Sequence, residues 1–153
     1  MAEGIGHVVS LHICTGYQQP MRTVDEAAFT GGAGIEGDRH ASKERLNSKR
    51  QVLLMDAETL DSFKLEPGDV RENVTTRGID LQALRKEDRV TLGDGTVLEI
   101  TGPCTPCYRL DEVREGLREA LEGRRGMLAR VLSGGTVKTG DSVRVLAAAG
   151  MKG

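Results

Sequence analysis

The sequence predicts a mainly β protein, a barrel-like closed sheet with one or two short helices. Three observations predict it. Aliphatic and polar residues alternate from one end of the chain to the other, the period of half-buried strands. The segments so marked follow at short intervals and as hairpins, where a βαβ stack needs long crossovers. Glycine makes up 20 of 153 residues, about 13% against a typical ~7%, and it is dispersed as turns rather than gathered in a linker.

Residues 4–14 alternate, with His7, Val9, Leu11 and Ile13 on one face and Val8, Ser10, His12 and Cys14 on the other; this is a strand. Residues 30–49 have no usable period and read as a long loop, a feature that is often functional in a compact domain. Residues 51–55 form a short apolar strand. Asp56 is placed to cap a helix reaching Lys64, with Leu60 and Phe63 inward and Pro67-Gly68 as its stop. Residues 73–76 extend again. Residues 89–101 make the clearest hairpin, turning at Gly93-Asp94-Gly95. Leu110, Val113, Leu117 and Leu121 are spaced as one helical face, with Asp111 as cap and Gly123 as end. Residues 127–132 and 142–146 are further strands, separated by turns at Gly134-Gly135 and Gly140-Asp141, and the tail from residue 147 is expected to fray. The count is six or seven strands, in one domain over residues 1–153 with its core at about 5–146.

Composition narrows the function. A net charge of -2 and a pI near 5.9 provide no field for nucleic acid, and 3% aromatics without Trp leave little for base stacking. No apolar run approaches the ~20 residues of a membrane span. Three cysteines are an odd number for a disulfide framework and suit a reducing compartment. Residues 1–4 lack the basic start of a secretion signal, so a cytoplasmic location is expected.

Three features carry chemistry. Pro103-Cys104-Thr105-Pro106-Cys107-Tyr108-Arg109 lies between a strand and a helix. A cysteine just ahead of a helix is favoured as a thiolate, able to act as nucleophile, redox centre or soft metal ligand. Gly37-Asp38-Arg39-His40 opens a stretch to Arg50 with five Arg or Lys against two acids, a suitable cradle for phosphate or another anion. Arg71-Glu72-Asn73 follows Gly68-Asp69, and Asn can donate and accept at once, as a heterocycle requires.

In order, these pieces resemble the MOSC domain, the module first named from the C-terminus of molybdenum cofactor sulfurases. The matching stretches are Gly34-Ile35-Glu36-Gly37-Asp38-Arg39-His40-Ala41, Arg50-Gln51-Val52-Leu53 and Gly68-Asp69-Val70-Arg71-Glu72-Asn73-Val74. They continue through Pro103-Cys104-Thr105-Pro106-Cys107, Gly126-Met127-Leu128-Ala129-Arg130-Val131 and Gly134-Gly135-Thr136-Val137-Lys138-Thr139-Gly140-Asp141. The resemblance implies a β-barrel-like fold and binding of the molybdenum–pterin cofactor. It maps the catalytic, molybdenum-ligating thiolate onto Cys107, with Cys104 second. It groups Asp38, Arg39, His40, Arg50, Arg71 and Asn73 around the same pocket as cofactor-binding residues. Sulfurases add an aminotransferase-like domain that uses pyridoxal phosphate; it has no counterpart in these residues, so pyridoxal phosphate is not expected.

The activity implied is reduction of small N-hydroxylated substrates, with electrons from a separate donor protein, since no flavin or nicotinamide fingerprint is present. A non-catalytic cofactor carrier would use the same groups. The cysteines also admit a thiol–disulfide oxidoreductase working through Cys104 and Cys107, or a zinc site of His12, Cys14, Cys104 and Cys107.

Overall fold

Among the described residues, eleven strands and three short helices follow one another. The strands of the first half are β1 (Ile5–Cys14), β2 (Met21–Val24), β3 (Glu26–Thr30), β4 (Gly34–Ile35) and β5 (Val52–Asp56). Then come α1 (Ala57–Ser62), β6 (Val74–Arg77), β7 (Arg89–Leu92) and β8 (Thr96–Pro103). The chain continues with α2 (Arg109–Val113), α3 (Leu117–Ala120), β9 (Met127–Ser133), β10 (Gly135–Lys138) and β11 (Ser142–Leu146). The computed structural model describes residues 5–16, 19–44, 46–105 and 109–146. Cys107, with Pro106 and Tyr108, lies outside the described residues, as does the tail expected to fray.

Seven strands close a barrel in the order β1–β6–β5–β9–β8–β7–β11, and β11 returns to β1 through Ile5↔Arg144 to His7↔Ser142. The neighbours are antiparallel except β5 and β6, which run parallel and are joined by the crossover carrying α1. The expected hairpin is β7–β8, in the register Arg89↔Glu99 to Leu92↔Thr96. The fold class agrees with the sequence, and the strand count exceeds it. β2, which pairs with β1, and the small sheet β10–β3–β4 are too short to show a period.

Two further expectations are corrected. The pairing of β1 with β6 slips between Val8 and Ser10. One extra residue in a strand reverses which side chains face inward. Val8 and Leu11 therefore both enter the core, and His12 and Cys14 no longer share a face with Val8. The helix expected across 110–121 is broken, because Gly116 adopts the left-handed region at φ 85°. Leu110, Leu117 and Leu121 are buried, but Val113 is exposed. Asp111, expected to cap the first helix, instead accepts the Arg118 N–H of α3 at 3.0 Å.

β5 explains where the site lies. Val52 and Leu54 point into the barrel core, and Met55 packs on the other face against Leu60, Leu65, Leu110, Leu117 and Leu121 of the helical layer. A strand covered on both faces reads as a continuous apolar run. Asp56 ends it and caps α1 as expected: its Oδ2 accepts the Thr59 N–H at 3.1 Å and the Thr59 hydroxyl at 2.7 Å. The helix stops at Ser62 rather than Lys64, whose φ of 58° is not helical. Where β5, the end of β1 and the helical layer meet, a cavity opens.

Candidate functional site

Asp38 joins the segments that build this cavity. Its Oδ1 accepts the Cys14 N–H at 2.7 Å and the Asn73 Nδ2 at 3.0 Å. Its Oδ2 accepts the His40 N–H and the His40 Nδ1, both at 2.9 Å. Burial pushes the Asp38 carboxyl up, but the bonds from His40 and the Cys14 amide hold it, on balance, below its ordinary value. The Asn73 amide is equally committed to protein, accepting the Leu53 N–H at 2.9 Å and donating also to the His12 carbonyl at 3.1 Å. These two residues fix the loop after β4, the end of β1 and the start of β6 relative to one another.

Behind them lies a buried polar pair. His12 Nδ1 lies 3.0 Å from the Glu72 carbonyl, which can only accept, so Nδ1 carries the proton and Nε2 faces Ser10 Oγ at 2.8 Å. Burial raises the Glu72 carboxyl above its ordinary value, against the opposing bonds from Thr75 and Gly68. Its Oε2 accepts both of these, at 2.6 Å and 2.9 Å, while Oε1 has no partner. Both His12 nitrogens are thus engaged, and no group of three potential metal ligands forms among the described residues.

The cavity has a volume of about 480 Å³. Arg39, His40, Arg50, Arg71, Asn73 and Cys104, all expected there from the sequence, line it together. Asp38 stands behind the wall and lines a second hollow of about 280 Å³ under the 30–43 loop. Cys107 lies outside the described residues, but Thr105 before it and Leu110 after it both line the main cavity. Cys104 is buried, and its N–H donates to the Gly126 carbonyl at 2.9 Å.

Cys14 and Arg125 are among the lining residues that the sequence does not assign to a cofactor pocket. Cys14 brings a second buried free thiol, with Arg71 Nη2 3.2 Å from its sulfur. The sequence names Cys14 only in the alternative zinc set with His12, Cys104 and Cys107; of the two β1 residues, Cys14 lines the cavity and His12 does not. Arg125 is 6% exposed, and its Nε and Nη1 have no hydrogen-bond partner. It stands with Arg124 between Gly123 and Gly126, where nothing in the sequence distinguishes it from that exposed neighbour.

The family model of the MOSC domain matches residues 38–144, well over half of the chain. The chain belongs to the MOSC domain family. Its fold is that of the YUAD protein from Bacillus subtilis, with a TM-score of 0.81 at 22% identity, covering 95% of this chain and 98% of that one. YiiM from Geobacillus stearothermophilus is similar at a TM-score of 0.72 and 18% identity, covering 92% and 75% of the two chains. A protein from Gibberella moniliformis (strain M3125 / FGSC 7600) named "Reductase" is 27% identical over an alignment of 135 positions that covers 80% of this chain and 24% of that protein. This MOSC chain therefore spans about a quarter of that relative.

MOSC domains are associated with binding of molybdenum cofactor, an anionic group whose metal prefers soft donors. The residues present fit such a group. Two buried thiols supply soft donors, and the orphaned Arg125 guanidinium lacks the counter-charge that an anion would bring. No helix among the described residues is long and apolar enough to cross a membrane.

Proposed function

We propose that this MOSC protein holds the molybdenum–pterin cofactor in the 480 Å³ cavity and reduces small N-hydroxylated compounds. The observation that carries the reading is the convergence, in one cavity, of buried thiols and a buried guanidinium without a partner. The reductase named above supports the redox half of the reading, and the family supports the cofactor.

Cys107 is the proposed molybdenum ligand, on the resemblance and on the position of Thr105 and Leu110 at the cavity wall. Arg39, Arg50 and Arg71 face the cavity and offset negative charge on the cofactor. When bound, the cofactor supplies two-electron oxygen-transfer chemistry. Converting N–OH to N–H takes two electrons and two protons and releases water. A separate donor protein supplies the electrons. His40, held through Nδ1 by Asp38, presents Nε2 as the atom that passes a proton at the rim. Asn73 and Asp38 keep that rim in place, and Leu53, Val70 and Leu128 give the cavity its apolar wall.

The test is molybdenum and zinc content after anaerobic incubation with released cofactor and gel filtration, for wild type, Cys107→Ser, Cys104→Ser and Cys14→Ser. Near-stoichiometric molybdenum that Cys107→Ser alone abolishes is the expected result. Retention by Cys107→Ser with loss in Cys14→Ser would move the ligand to β1. No molybdenum in wild type would end the cofactor reading.

A further inference from the structure

The cavity contains a buried guanidinium that forms no ion pair with a carboxylate among the described residues. Arg125 lines it and is 6% exposed, with neither Nε nor Nη1 bonded. A guanidinium remains protonated under any ordinary condition, and an unpaired buried charge is strongly unfavourable. Among the described residues no carboxylate forms an ion pair with Arg125. Asp56 closes β5, the strand paired with β9, which begins two residues after Arg125. Asp56 Oδ1 already accepts from Gln82 Nε2 at 2.6 Å, and its Oδ2 caps α1. Asp69 Oδ2 accepts the Glu66 N–H at 2.8 Å, and Glu112 is exposed on α2. Asp38, Asp61 and Glu99 are paired with His40, Arg77 and Arg130.

Arg125 also stands apart from the basic rim. Its neighbour Gly126 holds the Cys104 amide, so Arg125 belongs to the cysteine-loop end of the cavity. Arg50 precedes β5 and Arg125 precedes β9, and these strands are antiparallel, so the two backbones join the ladder at opposite ends. Nε and Nη1 lie on different edges of the guanidinium plane. A carboxylate serves one such edge, whereas a tetrahedral oxyanion offers oxygens in several directions.

We propose that Arg125 forms a second anion subsite in the cavity, beside the Cys104 loop, and that it takes a phosphate-like oxyanion. The anion is either the phosphate of the bound cofactor or an oxyanion on the substrate. The inference rests on reading this cavity as the ligand site, and not on the identity of the cofactor.

Inorganic phosphate is titrated into the cofactor-free full chain, with calorimetry and thermal melting against sodium chloride at matched ionic strength. Phosphate should bind wild type and raise its melting temperature, and Arg125→Met should weaken that affinity at least tenfold. Absence of binding in wild type, or an undiminished affinity in Arg125→Met, overturns the proposal. Should Arg125→Met not fold, Arg125→Lys keeps the charge and loses the two-edged geometry. It should bind phosphate at least fivefold more weakly, and an unchanged affinity overturns the proposal. Repeating the titration on cofactor-loaded protein distinguishes the sources: phosphate binding that disappears assigns the subsite to the cofactor, and binding that persists assigns it to the substrate. A chain that takes up no molybdenum but binds phosphate through Arg125 loses the cofactor reading and keeps the subsite.

Discussion

Arg71 Nη2 lies 3.2 Å from the sulfur of Cys14, across 57 positions of sequence. The same guanidinium donates from Nη1 to the Gln19 carbonyl at 2.8 Å. It reaches both because the Arg71 backbone is left-handed, at φ 64°, in the turn closed by its N–H to the Gly68 carbonyl at 2.9 Å. That conformation costs an L-residue about 1–2 kcal/mol. Strain of this kind persists where the surroundings over-determine it, and here it aims a cation into the cavity.

Arg71→Gly separates the backbone from the side chain. Glycine adopts this φ freely, so the relief of strain offsets the two lost contacts, and stability should stay within about 1 kcal/mol of wild type. Cofactor uptake should fall, because the charge beside Cys14 is gone. Melting curves and molybdenum content after reconstitution check the two halves separately, and undiminished uptake would remove Arg71 from the binding set.

Asp38→Asn replaces an acceptor of four hydrogen bonds with a group that must donate as well. At least one buried donor is left unmade, so the loss should be about 2–4 kcal/mol at neutral pH. The native carboxyl lies below its ordinary value. Its stabilisation is therefore fully present above the unfolded value of ~3.9 and is lost as pH falls through the lower folded value. The gap between wild type and variant, measured by urea melts, should be constant above pH 5 and shrink below pH 4.

Much of this site was legible in the sequence, and for definite reasons. Arg39, His40, Arg50, Arg71, Asn73 and Cys104 sit in short polar or glycine-flanked segments whose chemistry is local, and they do meet in one cavity. The place of Cys14 in that cavity was not legible, because a bulge between Val8 and Ser10 leaves no mark on the alternation but changes where every later side chain points. Arg125 was hidden for another reason. Burial of a charged residue depends on what packs over it, and residue type argues against burial. The barrel could be read from hairpins and periodicity, whereas its closure by β11 onto β1 joins the two ends of the chain and has no local signature.

Glu72 gives the opposite pH dependence to Asp38. Burial holds its folded value above the ordinary 4.5. Stability from this group is complete below about 4.5 and is lost as pH rises through the folded value, since the native state then binds the extra proton. Glu72→Gln cannot titrate and keeps an acceptor oxygen for Thr75 and Gly68. Melting temperatures from pH 5 to pH 8 should decline less in the variant, which should be at least as stable as wild type at pH 8. Parallel pH profiles would show that the buried carboxyl does not titrate in this range.

Gly126 ties the barrel to the cavity, and a single methyl should disturb both. Its φ is 119°, and a Cβ there would overlap the Leu54 carbonyl oxygen and lie 3.3 Å from Met55 Sδ. Backbone cannot yield as a side-chain tip can, so Gly126→Ala must push β9 away from β5 as well as accept a strained φ. A loss of about 3 kcal/mol or more is expected, roughly 6–12 °C in melting temperature for a chain of this size. The Gly126 carbonyl holds the Cys104 amide and Arg125 is the preceding residue, so cofactor and phosphate binding should weaken even at temperatures where the variant is folded. Gly116→Ala is the control. Its φ of 85° imposes similar backbone strain, but nothing lies within 4 Å of a Cβ, so it should cost about 1 kcal/mol and leave both ligands bound as in wild type. If the two variants lost equal stability, strain alone would explain Gly126 and the contact with β5 would carry no weight.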